Sequence, residues 1–160
     1  MAERAPIHAC ILSLIVCVGS SVAAAQTPAL VMCRDIAEIQ ARAKLGPAAD
    51  TLADAGQHHA IAEATECAPV SDAEKRAYRC AWQFTLGSPA AMATFDAFVE
   101  TARQCVGRDA VERTGEPVNH PDAFLAHYFE HPHASLSVSL KHKSALRQTL
   151  VSIRSEHIKR

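Results

Sequence analysis

The 160-residue sequence predicts an α+β domain stapled by two disulfides, and three features lead to that reading. Between Tyr78 and Phe84, apolar Tyr78, Cys80, Trp82 and Phe84 alternate with Arg79, Ala81 and Gln83, the period of two expected when one strand face packs on a core. Directly after this run, Gly87-Ser88-Pro89 opens an amphipathic helix: Ser88 suits the N-cap, and Pro89 suits the first helical position, where its missing N–H costs nothing. The third feature is an even set of four cysteines in the part of the chain that follows an N-terminal leader.

The leader is expected over residues 1–25. Arg4 precedes an apolar run from Ala9 to Val18, and small residues end at Ala23-Ala24-Ala25 before Gln26, the pattern of a cleaved secretory signal peptide. The apolar run is too short to span a bilayer, which needs about 20 residues, so a periplasmic or secreted product without a transmembrane segment is expected. Residues 26–160 then form a single domain. Cleavage removes Cys10 and Cys17 and leaves Cys33, Cys67, Cys80 and Cys105. Four cysteines allow three connectivities, and the spacings fit no zinc-ligand pattern. The expected bridges are Cys33–Cys67 and Cys80–Cys105, because Cys80 lies on the inner face of the strand and Cys105 on the inner stripe of the helix that should cover it.

Taken in order, Thr27 to Leu45 reads as a first helix. Thr27 is its N-cap, Pro28 its first residue, and Leu30, Cys33, Ile36, Ile39 and Ala43 form its apolar stripe. The alanine-rich stretch from Gly46 to Asp72 is expected to hold one or two short helical pieces tied back through Cys67. In the second helix Met92, Phe95, Phe98, Val99, Ala102, Cys105 and Val106 recur at spacings of three and four, and Gly107 supplies a left-handed stop. Residues 108–122 are expected to be a polar surface loop. Three apolar runs follow, FLAHYF, SLSVSL and TLVSIRS, and read as a three-strand meander. The last also matches a helical stripe through Leu146, Leu150, Ile153 and His157; β-branched Thr149, Val151 and Ile153 favour the strand. The sum is a sheet of about four mostly antiparallel strands with two helices on one face.

Charge is unevenly spread. Between Gln26 and Glu130 nine Lys and Arg face fifteen Asp and Glu, whereas from His131 onward six face one. Lys141, Lys143, Arg147 and Arg154 therefore form a candidate basic strip for an anionic envelope component or an envelope protein, against the alternative of a solvated face whose lysines guard a sheet edge. A formal net charge of −1 lacks the footprint of a nucleic-acid binder. Histidine is also concentrated late in the chain, and His127, His131, His133 and His142 are the candidate ligands for zinc or copper, the alternative to a protein without a cofactor. The sequence contains no G-x-S-x-G, H-E-x-x-H or glycine-rich phosphate loop. The expected function is a non-catalytic binding module of the cell envelope, ahead of a histidine-mediated metal binder and a small hydrolase. Nothing in the sequence sets an oligomeric state.

Overall fold

Two helices lie on one face of a six-stranded antiparallel sheet in the computed structural model, which describes residues 30–46, 61, 63–70, 75–115 and 124–158. Helix α1 spans Cys33–Leu45. Strands β1 (Glu66–Pro69) and β2 (Lys75–Thr85) precede helix α2 (Pro89–Cys105), and β3 (Val111–Thr114), β4 (Phe124–His131), β5 (Ala134–Lys143) and β6 (Gln148–Ile158) follow it. The spatial order is β1-β2-β6-β5-β4-β3, so the chain enters at one edge, crosses over through α2 to the other, and closes by meandering back to β2. Every neighbouring pair is antiparallel.

The meander, the strand character of the last run and the second helix follow the sequence expectation. Ser88 accepts the Ala90 amide at 3.2 Å with Pro89 behind it, and Gly107 adopts φ +86°. The first helix is shorter than expected: Leu30 to Met32 lie ahead of it, and the helix starts at Cys33, where the Asp35 carboxylate accepts the Met32 amide at 2.8 Å. Leu30 is accordingly exposed, and Thr27 and Pro28 lie outside the described residues. Met92, assigned to the inner stripe of the second helix, is also exposed, because Ala91, Phe95 and Phe98 already fill that side.

The sheet has six strands, not about four. Strand β1 lies at the Cys67 end of the alanine-rich stretch expected to hold one or two short helical pieces, most of which falls outside the described residues, and β3 occupies part of the expected surface loop. Neither carries a period-two apolar pattern: every residue of β3 is exposed. Backbone pairing with a strongly patterned neighbour makes them strands, an effect invisible in their own residues.

The core lies between helices and sheet. Tyr78, Cys80, Trp82 and Phe84 of β2 point inward with Val151 and Ile153 of β6, Leu136, Val138 and Leu140 of β5, and Phe129 of β4. Helix α1 covers β2 and β6, and α2 covers β5 and β6. Trp82 meets Phe98 edge-on with ring centroids 4.6 Å apart. At the α1 end the buried Arg42 guanidinium donates to Tyr78 Oη and to Glu38 Oε1, both at 2.8 Å. Burial alone would lower the Arg42 pKa; the Glu38 and Tyr78 hydrogen bonds outweigh it and raise the pKa.

All four cysteines form bridges, but their connectivity differs from the expected one. Cys33 pairs with Cys105 and Cys67 with Cys80. Cys67 and Cys80 stand directly opposite each other in the β1–β2 ladder, whereas the end of α2 comes to the start of α1 and brings Cys105 to Cys33. Two disulfides suit an oxidising compartment, and among the described residues no helix is long and apolar enough to cross a membrane.

The sequence separations are 72 for Cys33–Cys105 and 13 for Cys67–Cys80. In the loop-entropy picture the longer loop loses more unfolded-state freedom, about 4 kcal/mol against about 3. Urea denaturation of the paired Cys→Ala variants is expected to rank Cys33/Cys105 as the costlier removal. Trp82→Ala should cost a further ~3–5 kcal/mol by cavity formation at the Phe98 contact.

Candidate binding groove on the open sheet face

Alternation puts every second residue of the sheet on the face opposite the helices, and the register sorts these residues into rows that cross the strands. One row runs Arg79, Arg154, Ser137, Tyr128, Arg113 from β2 to β3. Two residues along, the row is Ala81, Ser152, Ser139, Ala126. Two further on it is Gln83, Leu150, Lys141, Phe124. The middle row is made of small side chains between two rows made mostly of large ones. The result is a trough of about 500 Å³ across β2, β6, β5 and β4.

Gly115, just after β3, continues the floor beyond Ala126, whose carbonyl accepts the Gly115 amide at 2.8 Å. A Cβ there would lie 3.1 Å from the Tyr128 ring and 3.3 Å from Ala126 Cβ, so glycine lets Tyr128 lean over this end of the trough. On the floor, Ser139 Oγ and Ser152 Oγ are 2.9 Å apart. Neither hydroxyl has a histidine partner among the described residues, and the two serines pair with each other at the centre of the floor.

The charges around the trough are one-sided. Arg79, Lys141, Lys143 and Arg154 line it against the single carboxylate of Glu156. Glu156 is held by Arg154 Nη2 at 2.7 Å and by Lys75 Nζ at 3.1 Å, and Arg79 is 3.9 Å from Glu66. Lys141 and Lys143 have no carboxylate partner among the described residues, and Arg154 Nε is buried without an acceptor.

Of the four residues in the expected basic strip, the fold thus brings Lys141, Lys143 and Arg154 together. Arg147 sits apart, in the left-handed turn between β5 and β6 beside Leu146 and Gln148. Sequence reasoning did not add Arg79, Ser152 or Leu150 to the candidate site. Their period-two positions were readable, but their alignment depends on the β2–β6 register.

The four candidate metal ligands are spread out. His127 Nδ1 donates to Glu112 Oε1 at 2.8 Å, and His131 Nε2 donates to the Val106 carbonyl at 3.1 Å beyond the end of α2. His142 Nδ1 lies 2.8 Å from Thr149 Oγ1, which accepts the Gly87 amide, and His133 occupies the β4–β5 turn. No three His, Cys, Asp or Glu residues converge to hold an ion among the described residues. His157, near the end of β6, is held below its ordinary pKa by burial and by Lys44.

The His127 partner belongs to a structural cluster. Arg103 of α2 grips Glu112 of β3 through two nitrogens, Nε at 2.9 Å and Nη2 at 2.7 Å, and so pins the edge strand to the helix. These hydrogen bonds and the His127 contact overcome partial burial and lower the Glu112 pKa from 4.5 to about 2. A carboxylate with a depressed folded-state pKa adds stability above its ordinary value and loses it as pH falls toward the folded value. Stability should therefore decline between about pH 5 and pH 2, and Glu112→Gln should flatten that slope in acid-titrated urea denaturation.

No protein-family model matches the chain, and no curated protein or solved structure is significantly similar to it.

Proposed function

We propose that this chain is an exported, non-catalytic binding domain of the cell envelope that holds an anionic partner in the trough on its open sheet face. The carrying observation is the pair Lys141 and Lys143, which lack carboxylate partners among the described residues and face Arg79 and Arg154 across a floor of small residues. Uncompensated cations along a concave surface concentrate anions near it and steer them in. The two disulfides are compatible with the oxidising compartment that a signal peptide over residues 1–25 would lead to.

The test is binding of the purified protein to heparin as a generic polyanion. Lys141→Glu/Lys143→Glu should weaken binding at least about tenfold, as expected for removing charge-assisted hydrogen bonds, with an unchanged melting temperature. Arg147→Glu, away from the trough, should stay close to the parent. Equal affinity in the double variant would overturn the reading.

A further inference from the structure

The chemistry of the trough narrows the anion that it would take. We infer that its occupant is a short oligosaccharide of carboxylate-bearing sugars lying across the strands, an inference that rests on the anion-binding role proposed above.

Four observations point this way. First, the trough crosses the middle of the sheet. Its floor strands β6 and β5 have their ladders taken on both sides, by β2 and β5 and by β6 and β4. An extended peptide gains affinity on a sheet chiefly by pairing with an exposed edge, and neither floor strand offers one. A ligand there must use groups carried along its own length, and a sugar chain presents hydroxyls at every unit. Second, the floor answers with hydroxyls: Ser139 and Ser152 at its centre and Ser137 on the bordering row.

Third, Phe124 and Tyr128 stand on the same strand on either side of Ala126 and on opposite walls, roughly 13 Å apart at about 3.3 Å per residue. They offer flat apolar surfaces against the floor, suited to the carbon-bound faces of a pyranose ring. With Leu150 they are the only large apolar side chains lining the trough among the described residues, too little for the apolar centre of a stable protein–protein interface. Fourth, the cations are split between the walls, Arg79 and Arg154 on one and Lys141 on the other, with Lys143 beyond it. Charges spaced along a trough match carboxylates repeated along a chain better than one compact phosphate. From β2 to β4 the trough is roughly 14 Å long at about 4.8 Å between strands, the span of a few sugar units.

Isothermal titration of the purified protein with tetragalacturonic acid tests this, alongside maltotetraose, hexaglutamate, inorganic phosphate and phosphatidylglycerol vesicles. Saturable binding of tetragalacturonic acid is expected, at least about tenfold tighter than every other probe, the margin that one charge-assisted hydrogen bond supplies. Lys141→Glu and Tyr128→Ala should each weaken it by about the same factor. If Tyr128→Ala lowers the melting temperature, Phe124→Ala and Ser139→Val take its place. Maltotetraose binding as tightly overturns the acidic character. Hexaglutamate, phosphate or vesicles binding as tightly, or aromatic variants binding like the parent, overturn the saccharide while leaving the anion site standing. If none of the four anionic probes binds, both readings fall.

Discussion

Trp82 of β2 and Phe98 of α2 touch edge to face, both almost completely buried, and the helix, the sheet and the crossover between them all lead to this contact. An edge-on aromatic pair adds about 0.5–1.5 kcal/mol beyond the burial of its surface, and its directionality also sets how α2 lies on the sheet. Once α2 is seated there, Phe95 reaches the His127 ring and Ala102 fills the interior. The helix end is then carried to the start of α1, where Cys105 meets Cys33. The Cys33–Cys105 bridge is thus a consequence of helix placement, while the Cys67–Cys80 bridge follows from strand pairing alone.

Coverage from one side has a price on the other. With both helices against the inner face, the outer face has no layer above it among the described residues, and antiparallel sheets meet that situation with polar or small side chains. Here the small ones are aligned in one row by the register and the large ones in the rows on either side. A trough is the direct result of that alignment. Its cationic character comes mainly from the late, basic part of the chain folded between β2 and β4, with Arg79 added from the acidic part.

The two edge strands show how weakly patterned segments are held. Strand β1 is covalently tied to β2 through directly opposed cysteines, and β3 is pinned through the Arg103–Glu112 grip. Both edges are short, Glu112 and Arg113 follow Val111, and Pro69 removes one backbone donor from β1, features that discourage pairing with other chains.

Much of this was legible in the residues themselves. Ser88-Pro89 marks the start of α2, the alternation of Tyr78 to Phe84 and of Leu136 to Leu140 marks β2 and β5, and the β-branched run of Thr149 to Ile153 marks β6. Such signals are local: a cap satisfies its own helix, and a strand period depends on one chain segment and one core. The basic strip was legible in the same way, as a composition. Three matters needed the tertiary structure. Cysteine pairing depended on which elements cross, since Cys80 lies equally well under a helix or beside a strand until the path of α2 is known. The edge strands depended on partners, because exposed Val111 to Thr114 carries no pattern of its own. The groove depended on register, because a one-residue slip of β6 against β2 would turn Ser152 and Arg154 to the core and leave Arg79 and Lys141 on a face with no trough between them. Local sequence thus determined the elements and their charge, and long-range packing alone decided which side chains share a surface.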